Sequence, residues 1–188
     1  ETGLEILSPS LLELLQDEDM DVRRAAIIAA GQLRSPQLWP ALIENLSVKT
    51  VRSTGISALS SADDSVVPFL AAALVDIRNE FESGVHIRMS VAQQIIRICI
   101  RLRNTTPLES HIDFPDAVIR EQILSALAQM KYHTADLERI ESCVRGEIRD
   151  DLWYLQGLAL LKDDPLLPGT LDYLLRRMRE RVFLLCSF

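Results

Sequence analysis

The sequence predicts an all-α solenoid of about five helix pairs followed by a C-terminal helix, on three observations. Pro9, Pro40 and Pro68 are each followed by leucine two residues later (Leu11, Leu42, Leu70) and again six residues later (Leu15, Leu46, Leu74). An aliphatic–arginine pair (Val22-Arg23, Val51-Arg52, Ile87-Arg88, Ile119-Arg120, Ile148-Arg149) recurs at intervals of 29, 36, 32 and 29 residues. The β-branched residues fall inside helix-period patterns rather than alternating runs, so no strand competes. A period of this size marks units that bury their apolar faces against each other.

Each proline is tolerated in a first helical turn, and leucines two and six residues on lie near one helix face, so these segments are the first helices of their repeats. Each aliphatic–arginine pair opens a second helix. In the first repeat, Val22, Ala25, Ala26, Ala29 and Leu33 share a face, with Asp19 placed to cap the start and Gly31 near the end. Asp116 does the same before Ile119, Ile123, Leu124, Leu127 and Met130. Short connections carrying turn residues, such as Leu33-Arg34-Ser35-Pro36 and Ser60-Ser61-Ala62-Asp63-Asp64, force antiparallel neighbours. The expected repeats are 4–34, 35–60, 63–104, 105–132 and 135–162, with a terminal helix at 170–187, all in one repeat domain, 1–188. The third repeat carries an insertion at 76–86, expected to be a loop with room for function.

Composition narrows the function. The 188 residues hold 20 basic and 27 acidic side chains, a net charge of −7, with 48% hydrophobic and only 5% aromatic residues. An acidic, aromatic-poor chain lacks the basic stripe of a general nucleic-acid binder, and its apolar content argues against disorder. Residues 1–94 carry 7 basic and 13 acidic groups, against 13 and 14 in 95–188. Cys99, Cys143 and Cys186 stand more than forty residues apart, and His86, His111 and His133 are scattered, so neither a metal site nor a disulfide framework is expected. The longest apolar stretch, Val66–Val75, is far short of the ~20 residues a spanning helix needs. With Glu1 at its start and an uncapped apolar end, Val182–Phe188, the chain reads as a fragment.

The stretch Asp17-Glu18-Asp19-Met20-Asp21-Val22-Arg23-Arg24-Ala25-Ala26, followed by Ala29-Ala30-Gly31-Gln32-Leu33, closely resembles the signature of HEAT repeats, in particular the short type found in phycobilisome-lyase-like proteins. Leu38-Trp39-Pro40-Ala41-Leu42-Ile43-Glu44-Asn45-Leu46 resembles the family's next first helix. The resemblance covers residues 4–131, and more weakly 132–188. It implies antiparallel pairs stacked in a right-handed solenoid, with Asp and Arg of successive repeats bonding along the stack. Asp19, Arg23, Asp116 and Arg120 match both positions, and Arg52 and Arg88 match the arginine only. Val48 and Gly84 stand where the second and third repeats would carry the Asp. The order of repeats, the insertion and the ending Leu171–Leu185 are also similar to the HEAT segment of bacterial ATP/ADP-translocase-like membrane proteins. That similarity implies a cytosolic module of a larger membrane protein, beside its membrane domain.

A solenoid offers an extended surface rather than a closed pocket, so its natural ligand is a protein or a flanking domain of the same chain. Arg24 and Ile27 project away from the expected buried stripe of the first repeat, and Arg97 and Arg101 share the polar face of a later helix with Ser90 and Gln94. These four are the candidate partner contacts, each weighed against a solvated or repeat-covered face. Arg176, Arg177, Arg179 and Arg181 read as a solvated face, Trp39 as cover for a repeat junction, and His111 as a surface or helix-end histidine. Trp153 and Tyr154 are the other aromatic candidates. Asp63-Asp64, Asp150-Asp151 and Asp163-Asp164 are adjacent pairs at turns, where capping or solvation is the expected role. No nucleophile–base pair, paired catalytic carboxylates or phosphate-binding glycine loop is present. The expected function is a non-enzymatic cytoplasmic scaffold, without cofactor, metal or nucleic acid, binding a protein or coupling domains. The rival readings are a HEAT-like enzyme or enzyme subunit of bilin-lyase or DNA-glycosylase type, and a structural spacer.

Overall fold

A computed structural model describes residues 7–132, 137–158 and 167–185. His133, Cys186, the Asp163-Asp164 pair and the chain end at Phe188 lie outside the described residues. The chain is all-α, and among the described residues there is no strand. Instead of the single domain expected, it divides into two compact units, 1–126 and 127–188.

In the first unit the helices alternate as expected. The pairs are α1 (Ser8–Leu14) with α2 (Met20–Leu33), α3 (Trp39–Glu44) with α4 (Arg52–Ser60), and α5 (Val67–Glu82) with α6 (Met89–Leu102). A short α7 (Thr106–Glu109) then precedes α8 (Ala117–Gln129). Proline stands in the first turn of α1, α3, α5 and α7, where no intrahelical N–H is lost. The first helices pack on each other, α3 on α5 and α5 on α7, as do the second helices, α2 on α4 and α4 on α6. Leu42, Leu46, Leu70 and Leu74, four of the six leucines that mark the repeat, are fully buried, and Leu15 is nearly so.

The buried face of α2 is rotated from the expected one. Ala26, Ile27, Ala30 and Gly31 are buried, whereas Val22 and Ala25 are exposed. The cause is the close approach of α4: a methyl group on Gly31 would stand 2.7 Å from the Ala58 Cβ and 3.1 Å from its Cα. Gly31 is therefore the contact point of two helices, and α2 turns toward it.

Asp19 and Asp116 cap as expected. The Asp19 carboxylate accepts from the Asp21 and Val22 amides at 2.8 and 3.4 Å, and Asp116 accepts from Ile119 N at 2.9 Å. The arginines bond to carbonyls of their own repeats. Arg23 donates to the Gln16 carbonyl at 2.9 Å, Arg52 to Leu46 and Ser47 at 2.7 and 3.0 Å, and Arg120 to Phe114 and Pro115 at 2.6 and 3.3 Å. Each reaches back five to seven residues to carbonyls left open where the chain turns, while Arg88 pairs with Glu80 at 3.0 Å. Successive repeats are also joined side chain to neighbour. The Asn45 amide donates to Leu15 O at 3.1 Å, Trp39 Nε1 donates to Ser65 Oγ at 3.2 Å, and Arg78 meets Asp113 at 3.1 Å. Trp39 is wholly buried and does cover a repeat junction.

The 76–86 insertion is not a loop. Most of it lengthens α5 to 16 residues, and the chain then turns at Gly84, whose φ of 83° favours glycine. Ile87, expected on the buried face of α6, precedes that helix and is 85% exposed. Gln94, expected on the polar face, is buried and donates to Ser90 O at 3.2 Å. His111 is the helix-end histidine expected, just past the C-cap of α7, but it is buried rather than superficial, its Nδ1 lying 3.0 Å from Pro107 O.

The second unit departs furthest from the repeat. Ile148-Arg149 opens no helix: it lies inside α9 (Leu137–Leu158), a single 22-residue helix where a pair was expected. It packs on α10 (Leu167–Leu185), close to the expected terminal helix. Arg181 is not on a solvated face. It is 3% exposed, with Nε 2.7 Å from Glu147 Oε2 and Nη1 bonded to Asp151, both carboxylates also buried. Asp151 thus serves as an ion-pair partner rather than a helix cap.

Candidate interaction surface

The solvent side of α2 and α4 forms an open groove of about 660 Å³. Gly31 and Ala58 line it where the helices approach most closely, with Thr54, Ser57 and Ser61 on the α4 side and Ile28, Gln32 and Arg34 on the α2 side. Small side chains on α4 keep that helix low. Ile28 is 48% exposed and adds to the apolar surface of a trough in which Gln32, Thr54, Ser57 and Ser61 place polar groups. Arg34 ends α2 in the left-handed region, φ 52°, and places its charge at the helix C-terminus. Beyond it, the Ser65 side chain and amide, followed by the Arg34 charge, hold the exposed Asp63 carboxyl below its ordinary value.

A smaller groove of about 370 Å³ lies on the other side of α2, lined by Leu7, Leu11, Leu14, Ala29 and Leu33. Gln32 borders both grooves, so α2 is a ridge between them, and the larger groove carries the more polar groups.

The four expected contact residues divide. Ile27 is fully buried and offers no surface; its neighbour Ile28 takes that place. Arg24 is partly covered and pairs with Asp21 at 2.5 Å, the i,i+3 spacing of an ordinary surface ion pair. Arg97 and Arg101 are exposed on α6, Arg97 donating to the Gln94 side chain at 3.2 Å, and neither lines the α2–α4 groove. The sequence expectation read Gly31, Gln32 and Arg34 as parts of the repeat and its turn, and Thr54, Ser57 and Ala58 carry no charge or motif that would mark a groove. The i,i+4 relation of Ser57 and Ser61 and the pairing of Gly31 with Ala58 need the register of two helices to be known.

The remaining chemical candidates are occupied structurally. Burial pushes the Cys99 thiol up to about 12, so it is no nucleophile near neutrality. Trp153 and Tyr154 stack edge to face at 5.4 Å on α9, 68% and 57% exposed. Among the described residues no group of histidine, cysteine and carboxylate side chains is placed to hold a metal ion, and no single helix is long and apolar enough to cross a membrane.

The family model of HEAT repeats matches residues 8–83, the span from α1 to the end of α5. No curated protein and no solved structure shows significant similarity to the chain.

Proposed function

We propose, from the premise that this is a HEAT-repeat protein over residues 8–83, that the chain is a non-enzymatic, cytoplasmic scaffold that receives a protein partner in the α2–α4 groove. HEAT repeats form helical scaffolds used for protein interaction, and the observation that carries the finer reading is the trough of small residues beside Ile28. A partner segment approaching there meets serine and threonine hydroxyls and the Gln32 amide, each able to satisfy its polar groups, while Ile28 supplies apolar area. The carboxylates and the histidine that would interest an enzymologist are engaged elsewhere: Asp19, Asp63 and Asp116 accept backbone amides, and His111 lies against Pro107 O.

The test is quantitative affinity capture from lysate with the wild-type chain, Ile28→Glu and Ser57→Arg. Both positions are exposed, so the fold tolerates the changes. Proteins held by the wild type and lost from both variants support the groove. Identical capture by all three chains, or capture of nothing, contradicts it.

A further inference from the structure

The second unit leaves an apolar seam in solvent, on α10. Leu171, Leu175 and Val182 are 38%, 40% and 50% exposed, and Met178 between them is half-buried. Their spacing is four, three, four. At about 100° per residue the four side chains fall within an arc of about 60°. This is the spacing of a heptad seam, in which successive core residues of one helix face a partner helix. The seam is distinct from the side of α10 that already has a partner, where Leu174 and Arg181 are buried and Arg181 meets Glu147 and Asp151 of α9.

The charges beside the seam indicate what covers it. Asp172 and Arg179 each follow a seam residue by one position, so they line the same flank, seven residues apart, and both are exposed. They carry opposite charge on either side of the midpoint of the seam. When two copies of α10 lie antiparallel about a two-fold axis near residues 176 and 177, Leu175 faces Met178 of the second copy and Leu171 faces its Val182. Asp172 then stands beside Arg179 of the second copy, and the symmetry makes that pair twice. A parallel pairing instead sets the charged flanks of the two copies on opposite sides of the seam, turns each toward the side taken by α9, and loses both ion pairs. The opposite flank is taken by α9, so the assembly is two hairpins joined as four helices. We propose that α10 joins two copies of this chain through the seam Leu171–Leu175–Met178–Val182, antiparallel, with reciprocal Asp172–Arg179 ion pairs.

Sedimentation velocity of the whole chain, over a dilution series from submillimolar to micromolar, tests this. A reversible monomer–dimer equilibrium is expected. Leu175→Glu abolishes it while the helical circular dichroism stays unchanged, since the side chain is already partly exposed. Asp172→Arg and Arg179→Asp each set two like-charged pairs across the axis and weaken the dimer about tenfold. The double swap Asp172→Arg with Arg179→Asp restores it. A monomer at every concentration overturns the proposal and leaves the seam to a different protein. A dimer indifferent to Leu175→Glu, or one in which the double swap is as weak as the single reversals, overturns it as well.

Discussion

The two compact units bury different chemistry. In the first, the residues wholly out of solvent are overwhelmingly aliphatic, with Trp39 and Phe114 among the largest, and the few buried polar groups are small or uncharged, such as Ser8, Asn45 and Gln94. In the second, a guanidinium and two carboxylates from facing helices are among the most deeply buried groups, while Trp153 and Phe183 stand 68% and 75% exposed. Apolar burial is non-directional, so it can be repeated along a chain with only small residues adjusting the fit. A buried ion cluster is directional. It fixes the register of α9 against α10, at the cost of desolvating three charges.

That contrast is broken most severely at Arg181. Arg181→Leu strands two buried carboxylates and should cost the second unit about 3–5 kcal/mol. Hydrogen exchange should then show α9 and α10 losing protection while α2 and α4 keep theirs. Loss in both regions alike would erase the distinction drawn between the units.

The first unit is sensitive to volume instead. Gly31→Ala places a methyl group against the Ala58 backbone and should destabilise by about 1–3 kcal/mol, despite the better helix propensity of alanine. Urea denaturation measures this, and an unchanged midpoint would mean that α2 and α4 separate freely. Cys99 tests how dry that interior is. The buried thiol keeps its proton up to about 12, whereas the unfolded chain releases it near 9.0. Above pH 9 the native state therefore binds more protons than the unfolded one, and stability falls as pH rises. The slope is at most about 1.4 kcal/mol per pH unit. Cys99→Ala should flatten the difference, measured by denaturation from pH 8 upward relative to the wild type. The smallest effect is local: Asp19→Ala removes the α2 cap and should cost about 1 kcal/mol, read from the melting transition.

The repeat was legible because proline, leucine and arginine serve local needs. Proline starts a first helix, leucine fills the core beneath it, and in three repeats the arginine closes carbonyls five to seven residues behind. The phase of α2 was not legible, since Val22, Ala25, Ala26, Ile27, Ala29 and Ala30 leave apolar residues around much of the helix. Only the contact of Gly31 with Ala58, 27 residues apart, decides which side faces inward and moves the exposed isoleucine from 27 to 28. The Ile148-Arg149 pair misled for a related reason. An aliphatic residue followed by arginine also suits the middle of a long amphipathic helix, and no proline near it forces a break, while Gly146, two residues before, stays helical. The buried role of Arg181 was hidden in a run of four arginines that reads as solvated unless the carboxylates of α9 are known to face it.

The groove itself is tested most directly by site-specific photo-crosslinking in cells. A photoreactive residue placed at Ser57, within the α2–α4 trough, is compared with one at Val75, which is exposed on the first-helix layer. We expect a discrete protein adduct from position 57 and none from position 75. Adducts from 75 alone, or the same adducts from both positions, would contradict partner binding through the groove.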